Sequence, residues 1–429
     1  MTRRAVALAD RLPVRTRMLA LLCVMYFLTY IDRVNISTAG PAIRADLGLS
    51  NTSFGLALSA FALPYAFFQA VGGLLAVRFG PRVVLGAAGV VWAVSTAATG
   101  FALGLVSLFA ARLALGFGEG AAFPTATQAM IAWVKPQARG WAQGITHAFS
   151  RLGNAITPLA MAALIATLHW RAAFWILGAL SLAWAGLWWW RYRDQPADHA
   201  RMTDDQLDEL PRSSQAREQP PPTPWRRLLP AVAPLTFVDF CYGWMLWVYL
   251  TWLPSFFAGD YGLDLTHFAL YASLVLLTGV AGDIVGGLVS DRLLAHGDTT
   301  RTGRRHMLVV GLGASFAFVL PTLFIHQLAV VTACLGAAFF FLETCNPVLW
   351  AAAMDIAPAH AGTAAGLMNT GFGLAGVLAP FAFGLLVDRS GSWTVPFGLS
   401  ASLLLLGCLT AQRLRRHTIN PAGTAARQS

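Results

Sequence analysis

The sequence predicts an all-α integral membrane protein: twelve transmembrane helices arranged as two six-helix bundles in parallel repeat. Three observations carry the prediction. The composition suits lipid rather than water, the arginines gather on one side of successive apolar runs, and the two halves of the chain repeat each other.

Of the 429 residues 56% are hydrophobic and only 12% charged, which is not the composition of soluble domains. A hydrocarbon layer about 30 Å thick takes roughly 20 apolar residues per helical span, so a chain of this length has room for about a dozen. The net charge of +10 would suggest nucleic acid for a soluble protein, but here the basic residues sit at the ends of apolar runs, which excludes that partner. The lone lysine is Lys135; the other basic residues are arginines. Five cysteines, Cys23, Cys241, Cys334, Cys345 and Cys408, lie inside apolar stretches without paired spacing. They read as small core residues, so neither a metal nor a cofactor is expected.

Apolar runs between charged or Gly/Pro breaks place the spans near 18–38, 54–76, 83–103, 105–133, 140–167, 172–190, 231–257, 268–290, 306–325, 328–353, 363–387 and 394–412. The first run continues past the length of a signal-peptide core without a cleavage site and reads as a retained span. Arg3, Arg4, Arg11, Arg15 and Arg17 precede it, and Arg78 with Arg82 follow the second. Lys135 and Arg139, then Arg292, Arg301, Arg304 and Arg305, and finally Arg413, Arg415 and Arg416 fall on the same side. The positive-inside rule makes that side cytoplasmic and places both termini there, in a cell (inner) membrane.

A polar, Pro-rich stretch at 191–230 with a short amphipathic segment reads as a cytoplasmic linker. It separates an amino-terminal bundle (1–190) from a carboxy-terminal one (231–429). Gly72 to Arg78 on span two matches Gly286 to Arg292 on span eight. Gly140, Gly144, Leu152 and Pro158 on span five correspond to Gly362, Gly366, Leu374 and Pro380 on span eleven at one constant offset. Two six-span repeats are the arrangement of a secondary transporter, whose substrate site is expected near the midplane between the halves.

Ionisable residues inside the spans narrow the function, because each costs at least about 2.5–3.5 kcal/mol on insertion scales. Span one carries Tyr30, Asp32, Arg33 and Asn35; span four carries Arg112 and Glu119; span two adds Tyr65. Arg112 and Glu119 are close to two helical turns apart, so they share a face, about 10 Å apart along the axis. Asp32/Arg33 and Arg112/Glu119 could be purely structural ion pairs. Their concentration in one half at outer to midplane depth reads instead as a pathway. With both acids ionised the cluster is neutral, and protonating them leaves a surplus of positive charge that attracts an anion. Linkage makes the effect mutual, which is proton–anion symport. An arginine fork also matches a planar carboxylate better than a lysine does.

At these residues the chain resembles the anion:cation symporter branch of the major facilitator superfamily, which includes transporters of galactonate, glucarate and hexuronate and the exporter sialin. The resemblance runs over nearly the whole chain. It is carried by Tyr30-Ile31-Asp32-Arg33-Val34-Asn35-Ile36, by Arg112 with Gly116 to Pro124, by Ser150-Arg151-Leu152-Gly153, by Thr251-Trp252-Leu253-Pro254 and by Asn369. It implies the major facilitator fold, with Asp32 and Glu119 exchanging the coupling protons and Arg112 pairing with the acids. It also implies that Arg33, Tyr30 and Tyr65 hold the carboxylate and hydroxyls of the substrate, and that Asn369 contacts a polyol from the other half. Arg78, Asp291 and Arg292 occupy the gating positions after spans two and eight. Val77 stands where the superfamily's loop motif has an acid, whereas Asp291 keeps it in the repeat, so a weaker inner gate is expected.

Among other polar residues, Asn346 on span ten suits substrate hydroxyls or helix packing. His147 could titrate near neutral pH or simply pack; Arg151 reads as structural. Asp239, Asp283 and Glu343 are candidate buried acids in the second half. The expected function is uptake of a small organic anion, a sugar acid first and an aromatic or dicarboxylic acid second, by alternating access in a monomer coupled to protons. A membrane enzyme is disfavoured for want of a catalytic cluster. A transporter-like sensor would need a signalling domain, and neither the linker nor the tail has the size.

Overall fold

A computed structural model describes residues 13–135, 138–200, 202, 207, 223–295, 300–357 and 361–414. The amphipathic part of the expected linker falls largely outside them, as do Arg415 and Arg416. Among the described residues the chain is α-helical without strands.

The first span is α1 (Val14–Leu47). Gly48 ends it at φ 63°, a backbone state that a side chain rarely adopts. The second span is interrupted at Ala60 and Phe61, dividing it into α2 (Asn51–Ser59) and α3 (Ala62–Phe79). Gly80, again at positive φ, turns the chain into α4 (Pro81–Thr99), whose first residue is the proline tolerated at a helix start. Span four is α5 (Leu105–Gly120) followed by α6 (Ala122–Trp133). Pro124 offers no N–H to the turn before it, so the helix is loosened just after Glu119.

The next helix, α7 (Arg139–Arg191), has 53 residues. Straight, it would reach roughly 80 Å, more than twice the hydrocarbon thickness. It breaks at His169, where φ is 72°, between the two spans expected at 140–167 and 172–190. Bonds just beyond hold the break: Trp170 Nε1 donates to Asp46 Oδ2 at 3.2 Å, Arg171 pairs with Asp46, and Arg171 also donates to the Ala102 carbonyl. Asp194, after α7, accepts the Arg82 amide at the start of α4 at 2.8 Å. Burial holds the Asp194 carboxyl above its ordinary range against that hydrogen bond.

The second half comprises α8 (Trp225–Tyr261), α9 (Leu265–Ala295), α10 (Thr300–Val319), α11 (Leu328–Thr344), α12 (Asn346–Ile356), α13 (Ala361–Ser390) and α14 (Thr394–Gln412). Helices α11 and α12 form one span broken at Cys345, with Pro347 just after the break. Spans four and ten, which the repeat pairs, are thus interrupted in the same way. Among the described residues, ten helical stretches are long and apolar enough to cross a membrane. The α2–α3 pair is an eleventh, and α7, counted once among the ten, holds two, which gives twelve spans.

Contacts divide the chain into two compact units. One gathers Met1–Leu49 with Ala60–Ala216; the other gathers Ser50–Ser59 with Arg217–Ser429. In the first, α1 and α4 pack against α7, and α4 against α5. In the second, α8 packs on α13, α9 on α11, and α2 on α13. Asp388 of α13 caps α2: its carboxylate accepts the Asn51 and Thr52 amides, the Asn51 side-chain amide and the Thr52 hydroxyl. A carboxylate at a helix start also offsets the positive end of its dipole. Outward faces stay apolar, with Leu74, Leu103 and Val106 largely exposed, as lipid contact requires.

Candidate functional site

In the first unit, α1 brings Tyr30, Asp32 and Arg33 into the interior, α5 brings Arg112 and Glu119, and α3 brings Tyr65. Asp32, Arg33, Arg112 and Glu119 are all at most 4% exposed. Arg33 Nε donates to Glu119 Oε2 at 2.9 Å, a buried ion pair. Both ends keep unused capacity, since Arg33 Nη2 and Glu119 Oε1 have no hydrogen-bond partner among the described residues.

Four aromatic rings surround the Arg33 guanidinium. Its Cζ lies 4.4 Å from the Tyr65 ring centre, 4.6 Å from Tyr30, 5.2 Å from Phe123 and 5.4 Å from Phe61. Rings at this range attract a cation through their negative faces, the more so away from water. Phe61 also stacks on Tyr65 and lies 5.0 Å from the Arg112 Cζ, so one ring serves both guanidiniums.

Arg112 does not take the place expected for it. It donates from Nη1 to the backbone carbonyl of Asp32 at 3.3 Å rather than to a carboxylate, and its Nε has no partner among the described residues. The Asp32 carboxyl is held by neutral donors instead: Ser181 Oγ on α7 at 3.1 Å and Asn35 Nδ2 one turn along α1 at 3.2 Å. Three neighbours of the cluster, Ser181, Phe61 and Phe123, were therefore given no role by sequence reasoning. Ser181 had a signal, as a hydroxyl in an apolar span; Phe123 stood within the Gly116–Pro124 motif with no role assigned to it, and Phe61 had no signal, because aromatic residues are ordinary in such helices.

His147 lies exposed on α7, edge-on to Tyr26 at 5.4 Å, while Arg151 and Asn154 are buried one and two turns further on. Of the gating positions, Arg78 is exposed and rests over the Phe79 ring, and Val77 beside it is 61% exposed. Arg292 is exposed on α9; the side chain of Asp291 lies outside the described residues.

The second unit holds the remaining candidates. Asn346 Nδ2 donates to Asp283 Oδ1 at 2.9 Å, so its amide donor is engaged by a carboxylate. Asn369 is half-buried on α13. Asp239 accepts the backbone amide of Phe372 at 3.2 Å, and Glu343 accepts the Tyr242 hydroxyl at 3.4 Å.

Comparison with known proteins adds to this geometry. The family model for the Major Facilitator Superfamily matches residues 22–370 and 297–427. A probable sulfoacetate transporter of Cupriavidus necator is 47% identical over 94% of both chains. A hexuronate transporter of Bacillus subtilis is 29% identical over 97% of this chain and 98% of its own. Among solved structures, a bacterial homologue of the human lysosomal transporter Spinster superposes with a TM-score of 0.79 at 17% identity, covering 96% of this chain and 99% of the other. That likeness is one of fold.

Proposed function

Since the chain belongs to the major facilitator superfamily, we propose that it is a secondary transporter which carries a small organic anion with protons across the cell membrane by alternating access. The observation that carries this reading is the buried Arg33–Glu119 pair, closed by four rings and with donor and acceptor capacity unspent on both sides. A guanidinium satisfied by one acid alone would be structural. One with a free Nη2 beside a second cation, Arg112, is equipped to take an anion.

In this mechanism Glu119 and Asp32 are the proton carriers. When Glu119 takes a proton it releases Arg33, whose fork then binds the anion; when the anion leaves, Arg33 draws the proton off again by pairing with Glu119. Tyr30 and Tyr65 orient the guanidinium and offer hydroxyls to the anion. Arg112 supplies the second positive charge, anchored by the Asp32 carbonyl. The cations Arg33 and Arg112 balance Asp32 and Glu119, so two protons leave a surplus of +2, which matches a dianion, and one proton matches a monoanion. The number of protons thus follows the charge of the cargo.

Two classes of cargo compete. A compact anion with a sulfonate and a carboxylate is favoured by the 47% identical relative named for sulfoacetate and by the largely aromatic surround of Arg33. A sugar acid is favoured by the relative named for hexuronate; of the two asparagines expected to suit its hydroxyls, Asn346 already donates to Asp283, which leaves Asn369 on α13. Thermal-shift screening of the purified protein against sulfoacetate, hexonates, hexarates, hexuronates and aromatic acids at two pH values decides between them. Stabilisation by sulfoacetate that is stronger at the lower pH is expected. No response to any organic anion at either pH would overturn the reading.

A further inference from the structure

One end of the second unit holds a cavity of about 400 Å3 where α8 and α10 begin and α12 and α14 finish. Its wall is apolar, with Pro234, Leu235, Leu308 and Ile356, and its cationic groups are Arg304, Arg305 and Arg413. A single acid, Asp355, faces three arginines, leaving +2. Arg304 is committed to the fold: it pairs with Asp355 and donates to the Ala351 carbonyl, tying α10 to α12. Its Nε nevertheless has no partner among the described residues. Arg305 and Arg413 make no ion pair among the described residues.

Position gives this charge a meaning. Membrane-spanning helices end where hydrocarbon gives way to headgroups, and four of them end here. Trp225, at the start of α8, is half exposed, as interfacial tryptophans are. A cationic group of side chains over an apolar wall at that depth matches an amphiphile with an anionic head. A water-soluble anion would use the arginines and gain nothing from the wall.

We propose that this cavity binds the phosphate headgroup of an anionic phospholipid from the leaflet on the arginine-rich side. Arg305 and Arg413 hold the phosphate oxygens, and the acyl chains leave along Pro234 and Ile356, the wall residues with exposed surface. Charge-assisted forks to phosphate are among the stronger polar contacts available at a membrane surface. Ligation of one headgroup by Arg305 on α10 and Arg413 after α14 braces the start of α10 against the end of α14. The inference stands apart from the transport reading, because no residue of the Arg33–Glu119 cluster enters it.

The test uses the full chain in detergent micelles doped with phosphatidylglycerol or with phosphatidylcholine, read by thermal unfolding and by lipid retention in native mass spectrometry. Phosphatidylglycerol is expected to raise the unfolding temperature and to be retained, and phosphatidylcholine to do neither. The double variant R305Q/R413Q leaves the Arg304–Asp355 pair in place and is expected to lose roughly fivefold in retention for each arginine removed. R305K/R413K, which keeps the charge, is expected to recover most of it. Equal retention of the two lipids, or a glutamine variant that binds as the wild type does, overturns the proposal. Inorganic phosphate that stabilises as well as phosphatidylglycerol also overturns it, in favour of a free-anion site. Should the glutamine variant not fold, the wild type decides: retention must fall between about 0.1 M and 1 M salt, and retention indifferent to salt rejects an arginine-held headgroup.

Discussion

Arg33 reaches across from α1 to pair with Glu119 on α5, 2.9 Å from nitrogen to oxygen, with both side chains sealed from the surface. The arginine nearer to Glu119 in sequence, Arg112, turns away to the Asp32 carbonyl. This exchange of partners makes the pair a candidate for coupling, since the guanidinium that pairs with Glu119 is also the one ringed by Tyr30, Phe61, Tyr65 and Phe123.

Glu119→Gln removes the exchangeable proton while keeping a hydrogen-bonding side chain of the same size. Uphill accumulation driven by a pH gradient is expected to vanish, whereas counterflow between preloaded vesicles continues, because exchange needs no net proton movement. Accumulation at the wild-type level would remove Glu119 from the coupling.

Arg33→Lys keeps the charge and loses both the fork and the flat surface lying against Tyr30 and Tyr65. Affinity for the cargo is expected to fall by about tenfold or more. Titration calorimetry with whichever acid stabilises the wild type measures it; an unchanged binding constant would show that Arg33 does not hold the anion.

Ser181→Ala takes away the hydroxyl that donates to Asp32 Oδ2. Leaving a buried carboxyl oxygen short of a donor is expected to cost about 1–3 kcal/mol of stability and to slow uptake. Differential scanning fluorimetry and initial rates report the two effects, and a variant as stable and as fast as the parent would make this bond incidental.

Asp388→Asn replaces one of two oxygens that together accept four hydrogen bonds from Asn51 and Thr52. A loss of about 1–2 kcal/mol is expected, smaller in high salt because the site is exposed. Unfolding curves at low and high ionic strength check both the size and the salt dependence.

Much of this architecture was legible in the chain. The span between Leu105 and Trp133, the break near His169 and the repeat from Gly140 to Pro158 follow from local rules: apolar length, glycine and proline placement, and arginines at helix ends. The same rules put Arg112 and Glu119 on one face of span four, because helical period is a property of the chain alone. They could not assign partners. Both Asp32/Arg33 and Arg112/Glu119 were open as pairs, and neither is the ion pair that forms.

The sequence by itself determined that the chain lies in a membrane, how many times it crosses, and which charges must be buried, since lipid enforces these through length and desolvation cost residue by residue. Only the tertiary structure decided that Arg33 meets Glu119, that Ser181 reaches Asp32 from α7, and that Phe61 and Phe123 close the cage. Those contacts join residues far apart in the chain, and their geometry depends on the crossing of helices, which no periodicity within a single helix encodes.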